Sequence, residues 1–333
     1  MNVQSYQFEM EAVLKPIKPS GGLDRKLTEA EIRERIRRIE RVLPELRRRQ
    51  EPCGLCPRRC GVARVAGDLG ECGLALDFRV AAVARHCGEE PPISGDVGAI
   101  NIFFSGCNLH CIHCQNWPIS QNHVGLQISP EDLAEKILKK WCNGAQSLGW
   151  VTPTPQIVPA LEAYRLCLQE GFNLPLVHNN GGYEDPEVIR LLSGIVDVWL
   201  PDAKTADSDR GRSIQGVPDY PSRSLEAIKA MVEQLDEGAT RAVIVRHLAL
   251  PGGLEDSKLL LKTLREQFRD QIHISLMGQY FPTYKTIGHQ VLGRRITRYE
   301  YHKIVSFARN LGFEKGWVQH YETDTGISPY CLS

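Results

Sequence analysis

Six short apolar runs set the strongest limit on what this chain can fold into. They are AINIFFSG (99–106), LGWVTPT (148–154), PLVHNNGG (175–182), VDVWLPDAK (196–204), AVIVRHLALPGG (242–253) and HISLMGQYFP (273–282). Each is too short for an ordinary helix and ends in polar, Gly or Pro residues, as a strand buried on both faces does. Helical stretches lie between them. Ser129 followed by Pro130, and Asp185 followed by Pro186, are helix starts. Leu225, Ile228, Met231, Val232 and Leu235 then recur at helical spacing. Buried strands alternating with helices predict an α/β fold with a parallel sheet, curved into part or all of a barrel. An open doubly wound sheet satisfies the same periodicity.

The sequence divides into an arm and amphipathic helix at 1–50, a cysteine-rich segment at 51–97 and the alternating region at 98–333. Residues 1–23 end in Pro and Gly and read as irregular. Thr28 and Glu31 form a capping box, after which Ile32, Ile36, Ile39, Leu43 and Leu46 draw an apolar stripe disturbed near Pro44. The mixed charges of this helix read as a solvated outer face. A docking surface for acidic groups is the sharper alternative.

Lys plus Arg and Asp plus Glu both total 40, so the formal net charge is zero. That excludes a polyelectrolyte surface for bulk nucleic acid or anionic membrane. The start, MNVQSYQFEMEAVLK, lacks a basic run followed by an apolar one, and no apolar run is long enough to span a bilayer. A cytoplasmic protein is expected.

In a reducing compartment, clustered thiols hold metal or do redox work. Seven of the 11 cysteines fall into two groups. Cys53, Cys56, Cys60 and Cys72 stand in a loop-rich segment too short to bury much apolar surface, so bound metal is a natural source of its order. Four thiolates suit zinc or an iron–sulfur cluster. Cys107, Cys111 and Cys114 follow the first strand directly, in GCNLHCIHCQNW. Three thiolates leave one iron of a cubic cluster open, as catalysis requires, whereas a closed site suits structure. The competing reading is zinc, with His110 or His113 completing the set. The remaining cysteines, Cys87, Cys142, Cys167 and Cys331, read as inert thiols. Other chemistry-bearing residues gather at the predicted strand ends, where parallel barrels place their sites: Thr152, Asn179, Asp202 with Lys204, and Arg246.

C-x3-C-x2-C after the first strand resembles the signature of the radical SAM superfamily. The likeness extends over GEEPPISG (88–95), FFSGCNLHCIHCQNWPIS, GYEDPE, LLSGIVDVWLPDAK, the DYP at 219–221, VRHLALPG and SLMGQYFP, and over the preceding CGLCPRRCGV…GECG. These segments resemble a family related to pyruvate formate-lyase activating enzyme, across residues 51 to 322.

The resemblance implies a partial (β/α)6 barrel in which Cys107, Cys111 and Cys114 bind a [4Fe-4S] cluster. S-adenosylmethionine would chelate the open iron, and reduction would cleave it to methionine and a 5′-deoxyadenosyl radical that abstracts hydrogen from substrate. His113 would touch the adenine. Asp202 and Lys204 would hold the ribose or amino-acid end, Arg246 the carboxylate, and Thr152 with Thr154 the amino group, with Asn179 a further cofactor-binding candidate. A one-electron reductant such as flavodoxin or ferredoxin is implied. The substrate would be a protein, a peptide or a small molecule, the glycyl loop of a partner enzyme among them. From a different class, a non-catalytic iron–sulfur or zinc carrier or scaffold on a barrel accounts for the same cysteines. It does not account for Asp202, Lys204 and Arg246 facing one cavity.

Overall fold

A computed structural model gives the structure of residues 23, 25–319 and 321. The predicted arm at 1–23 and Cys331 therefore lie outside the described residues, Leu23 excepted. One nine-stranded sheet runs in the order β3-β1-β2-β4-β5-β6-β7-β8-β9. The six predicted runs form β2 (Ala99–Phe104), β4 (Leu148–Val151), β5 (Leu176–Asn180), β6 (Val198–Pro201), β7 (Ala242–Leu248) and β8 (His273–Met277). The six pair in parallel with one another. The sheet is curved and open, the partial barrel that the alternating pattern predicts.

Three further strands extend it. β9 (Gly316–Val318) adds a parallel strand beyond β8. β1 (Arg79–His86) pairs antiparallel with β2 through a bulge between Val80 and Ala82, and β3 (Leu126–Gln127) pairs antiparallel with β1. β1 belongs in sequence to the cysteine-rich segment, yet it is continuous with the barrel sheet. Its run, RVAAVARH, lacks a clean apolar pattern because only one face packs.

Alternation along the strands separates two faces. Outward residues such as Ile102, Trp150, Trp199, Val243 and Ile274 pack under the helices in the main core. Inward residues at the strand starts (Ala99, Val177, Val198, Ala242 and Ile244) form a second cluster with Ile93 and Leu23. Ile93 belongs to the short helix Pro91–Ser94, so the GEEPPIS segment plugs the N-terminal mouth of the barrel. The open end is the other one, where the strands finish.

The N-terminal helix spans Glu29–Arg48 with the predicted capping box: Glu31 N–H donates to Thr28 Oγ1 at 3.3 Å, and Thr28 N–H to the Glu31 carboxylate at 2.8 Å. The helix covers the barrel. Ile39 and Leu46 are fully buried, and Arg35 donates to both Asp197 carboxylate oxygens, at 2.6 and 3.1 Å, and to Tyr164 at 3.0 Å. Its outer charges, among them Arg33, Arg37, Arg41 and Arg48, are exposed as expected, while Arg35 on the inner side is a buried tie to the strand β6 region.

Candidate functional site

Gly106 ends the β2 segment with φ +79, and a side chain there would collide with Leu74 and the Cys72 carbonyl. Only glycine lets the chain turn there. It releases the loop carrying Cys107, Cys111 and Cys114 against Leu109, Tyr183, Val217 and Tyr220. The loop is fastened from several sides. His110 and Ile112 N–H groups donate to the carbonyls of Gln215 and Ile214, at 3.0 and 2.9 Å. Gln121 donates to the Leu109 carbonyl at 3.0 Å. The Leu109 N–H points at Cys107 Sγ, 3.4 Å away, and Cys114 Sγ lies 3.1 Å from Ser120 Oγ.

Burial raises the Cys111 thiol to about 12, and raises Cys107 as well, while the nearby Lys204 ammonium opposes both shifts. Left alone these are thiols, and binding a metal must displace their protons. Among the described residues, no group of three or more His, Cys, Asp or Glu side chains is set around a single ion. The donor set, three thiols from one loop with an N–H directed at sulfur and a lysine beside them, suits a cluster, which spreads its ligands over a cube.

His110 is turned away from this group. Its Nδ1 lies 3.0 Å from Gln121 Oε1 and its Nε2 lies 3.7 Å from Glu71. That geometry disfavours the Cys3His zinc reading through His110. His113 is buried beside Tyr280, with ring centroids 6.2 Å apart, and its Nδ1 has no hydrogen-bond partner among the described residues. Burial, helped by Lys204, pushes it down to about 3, so the imidazole is neutral.

Asp202 and Lys204 rise from the end of β6, two residues apart and hence on one face. Lys204 Nζ sits 2.5 Å from Asp202 Oδ2. Burial opposes the lysine's charge, but Asp202 and then Cys111 outweigh it, and Lys204 stays protonated well above the usual range. The backbone at this turn is held by Tyr220, whose single hydroxyl proton is shared between the carbonyls of Gly181 and Asp202, both 2.9 Å away. Thr152, at the end of β4, has φ +58, a conformation that suits glycine. Its N–H donates to the Asn179 carbonyl at 2.9 Å. Asn179 shares the inward parity of Val177, whereas His178 points outward between Trp150 and Trp199.

Arg246 departs from expectation. Its guanidinium donates to Glu90 at 2.9 Å and to Glu89, whose carboxylates are both nearly shut off from solvent. Burial works against its charge, and the two carboxylates more than restore it. The expected bidentate fork for a cofactor carboxylate is thus taken up by the chain itself. His247 is a packed core histidine, between the Ala203 carbonyl at 2.8 Å and Ser257 at 2.9 Å. Sequence reasoning missed Glu89 and Glu90 as partners of Arg246. The acidic pair in GEEPP was a signal, but nothing local says that it enters the barrel.

The four remaining clustered thiols line one cavity of about 20 Å³ with Arg58, Arg64, Glu71 and Asn108. Asn108 directly follows Cys107, so the two cysteine groups share a wall. Gly70 lies against the sulfurs of Cys60 and Cys72. Cys142 and Cys167 are free thiols, exposed and buried respectively, while Cys87 is disulfide-bonded rather than the inert free thiol expected. The larger groove, about 400 Å³, lies between β1, β3 and the helix Pro130–Trp141 and contains none of the predicted site residues.

Residues 101–257 match the family described as the radical SAM superfamily. That match supports a member of the radical SAM superfamily. The superfamily's fold implies a [4Fe-4S] cluster and S-adenosylmethionine. An uncharacterized protein of Methanocaldococcus jannaschii is 29% identical over 272 residues, covering 79% of this chain and 75% of its own. Pyruvate formate-lyase 1-activating enzyme of Escherichia coli is 25% identical over 159 residues, covering 46% of this chain and 62% of the enzyme. The match thus spans less than two thirds of the activating enzyme. Among solved structures, Streptococcus suis SuiB bound to S-adenosylmethionine aligns at TM-score 0.45 and 12% identity, over 64% of this chain and 48% of that one. Among the described residues, no helix is long and apolar enough to cross a membrane.

Proposed function

We propose that this chain is a radical SAM enzyme acting on a protein, peptide or small molecule, with Cys107, Cys111 and Cys114 holding the cluster. The observation that carries the reading is the meeting of that three-thiol loop with Lys204 and Asp202, from β2 and β6, at the open end of the barrel. When bound, a [4Fe-4S] cluster and S-adenosylmethionine together supply one-electron cleavage of the sulfonium to a 5′-deoxyadenosyl radical.

The chain's own contribution is binding, orientation and exclusion of water. Asp202 accepts hydrogen bonds from the cofactor's hydroxyl or ammonium groups, and Lys204 balances negative charge at the sulfurs. His113, neutral and buried, offers a flat face for the adenine. Thr152 and Asn179 present polar groups at adjoining strand ends. Ile93, Leu23 and the Glu89–Arg246–Glu90 set fill the opposite mouth. Cys53, Cys56, Cys60 and Cys72 hold a second metal, iron–sulfur or zinc. A flavodoxin or ferredoxin supplies the electron. The similarity to pyruvate formate-lyase 1-activating enzyme favours a glycyl-radical partner as the substrate to test first.

The test is 5′-deoxyadenosine formation by anaerobically reconstituted, reduced protein. Wild type should release it, and Cys111→Ala should not while keeping its circular dichroism. Failure of wild type with an intact cluster would favour the carrier or scaffold reading.

A further inference from the structure

Arg64 is 2% exposed, among the largest fully buried side chains of the protein. Its Nε donates to the Ala75 carbonyl at 2.7 Å, and its Nη1 has no hydrogen-bond partner among the described residues. Among the described residues, no carboxylate forms an ion pair with it. Arginine cannot shed its proton, so it is a permanent cation, and burying one demands an opposing charge. Arg64 lines the four-thiol cavity. So does Arg58, whose Nε donates to the Asn108 carbonyl at 2.8 Å and whose buried Nη2 is also without a partner. Glu71, on the same wall, has a side chain 53% exposed and lies 3.7 Å from His110. Of the groups lining the cavity itself, the four sulfurs are the ones placed to answer these guanidinium groups.

We propose that Arg64 is the built-in counter-ion of a metal–thiolate centre on Cys53, Cys56, Cys60 and Cys72, with Arg58 as the second cation. The inference rests on the second-metal part of the function proposed above and assigns it an electrostatic partner. Thiols that ligate metal become thiolates. A zinc ion, or an oxidised [4Fe-4S] core, carries two positive charges, so four thiolates leave the centre with two negative ones. Two arginines cancel them, and the centre can then sit in a buried wall. Zinc and iron–sulfur share this chemistry, and because no three described His, Cys, Asp or Glu side chains are set around a single ion, either metal must draw the four thiols together as it binds. Asn108 joins the centre to the three-cysteine loop, contacting Cys56 through its side chain while its backbone continues from Cys107.

The test uses full-length protein purified without oxygen, as wild type, Arg64→Met and Arg64→Lys. Iron, sulfide and zinc per chain are measured before and after a chelator challenge. Wild type should hold metal beyond the about four irons of one cubic cluster: about one zinc, or roughly four more irons. Arg64→Met should weaken the second centre by roughly ten- to a hundredfold, and Arg64→Lys should restore most of it. If the second centre is iron–sulfur, its reduction potential should move negative in Arg64→Met and return in Arg64→Lys. Should Arg64→Met not fold, Arg58→Met reads the same charge from the other side.

An Arg64→Met protein whose second metal has wild-type affinity would overturn the proposal. So would a wild type with a single cluster and four readily alkylated thiols at 53–72. Loss of 5′-deoxyadenosine formation with the second metal intact sinks the enzymatic reading instead, so the two failures are distinguishable.

Discussion

Arg246 and Glu90 meet inside the barrel at 2.9 Å, joining the middle of β7 to the segment that plugs the opposite mouth. Glu89 closes the other side of the same guanidinium and accepts from Asn101 of β2 at 2.8 Å. Arg246 is therefore first a buried tie across the barrel. Arg246→Ala leaves two buried carboxylates uncompensated and should cost about 3–5 kcal/mol in denaturant unfolding. Glu90→Gln, which keeps an acceptor, should cost less. Arg246→Ala with unchanged stability but lost cofactor binding would restore the fork to the cofactor.

Lys204 tests the open end of the barrel. Removing an ammonium that pairs with Asp202 at 2.5 Å leaves that carboxylate unopposed and strips positive charge from beside Cys111. Lys204→Met should weaken S-adenosylmethionine binding roughly ten- to a hundredfold, equivalent to about 1.5–3 kcal/mol. Equilibrium binding to the reconstituted protein checks it.

Gly182 tests how the β5 and β6 ends are joined. With φ +78, a Cβ there would fall 2.0 Å from the Asp202 carbonyl and 2.8 Å from the Tyr220 hydroxyl. Backbone cannot yield as a flexible side chain does. Gly182→Ala should lose about 3 kcal/mol of stability and move Asp202 out of register with Lys204. An undisturbed melting curve would contradict the geometry.

His178 should set part of the acid sensitivity. Burial pushes it down to about 3, so the folded chain keeps it neutral while the unfolded chain protonates near 6.5. Between those values the unfolded state binds the extra proton, and stability falls as pH falls, by up to about 1.4 kcal/mol per unit. His178→Phe fills the space between Trp150 and Trp199 without a titrating ring, and its stability should decline less steeply between pH 6.5 and 4.

The six barrel strands, the Thr28 capping box and the cysteine loop were legible because each is a local pattern. Their hydrophobic period, cap spacing and turn residues lie within a dozen positions. β1 was not legible, because its run is only half-buried and gains its place by pairing with β2. β9 is three residues long, too short to leave a period. Asp202 and Lys204 were found because they stand at the end of a predicted strand, where parallel barrels place their sites, and because they match the D-x-K of the family the chain resembles. Glu89 and Glu90 carried the right chemistry, yet their partner lies more than 150 positions away.

What the sequence determined alone was the kind of chemistry: seven clustered thiols, a parallel α/β frame and polar strand ends. Those follow from residue type and short-range spacing, which the chain carries wherever it is placed. Tertiary structure decided which charges face one another. It gave Arg246 to Glu89 and Glu90, turned His110 outward to Gln121, and buried Arg64 among four sulfurs. Electrostatic partnership depends on distance and burial through space, and both exist only once the chain has folded.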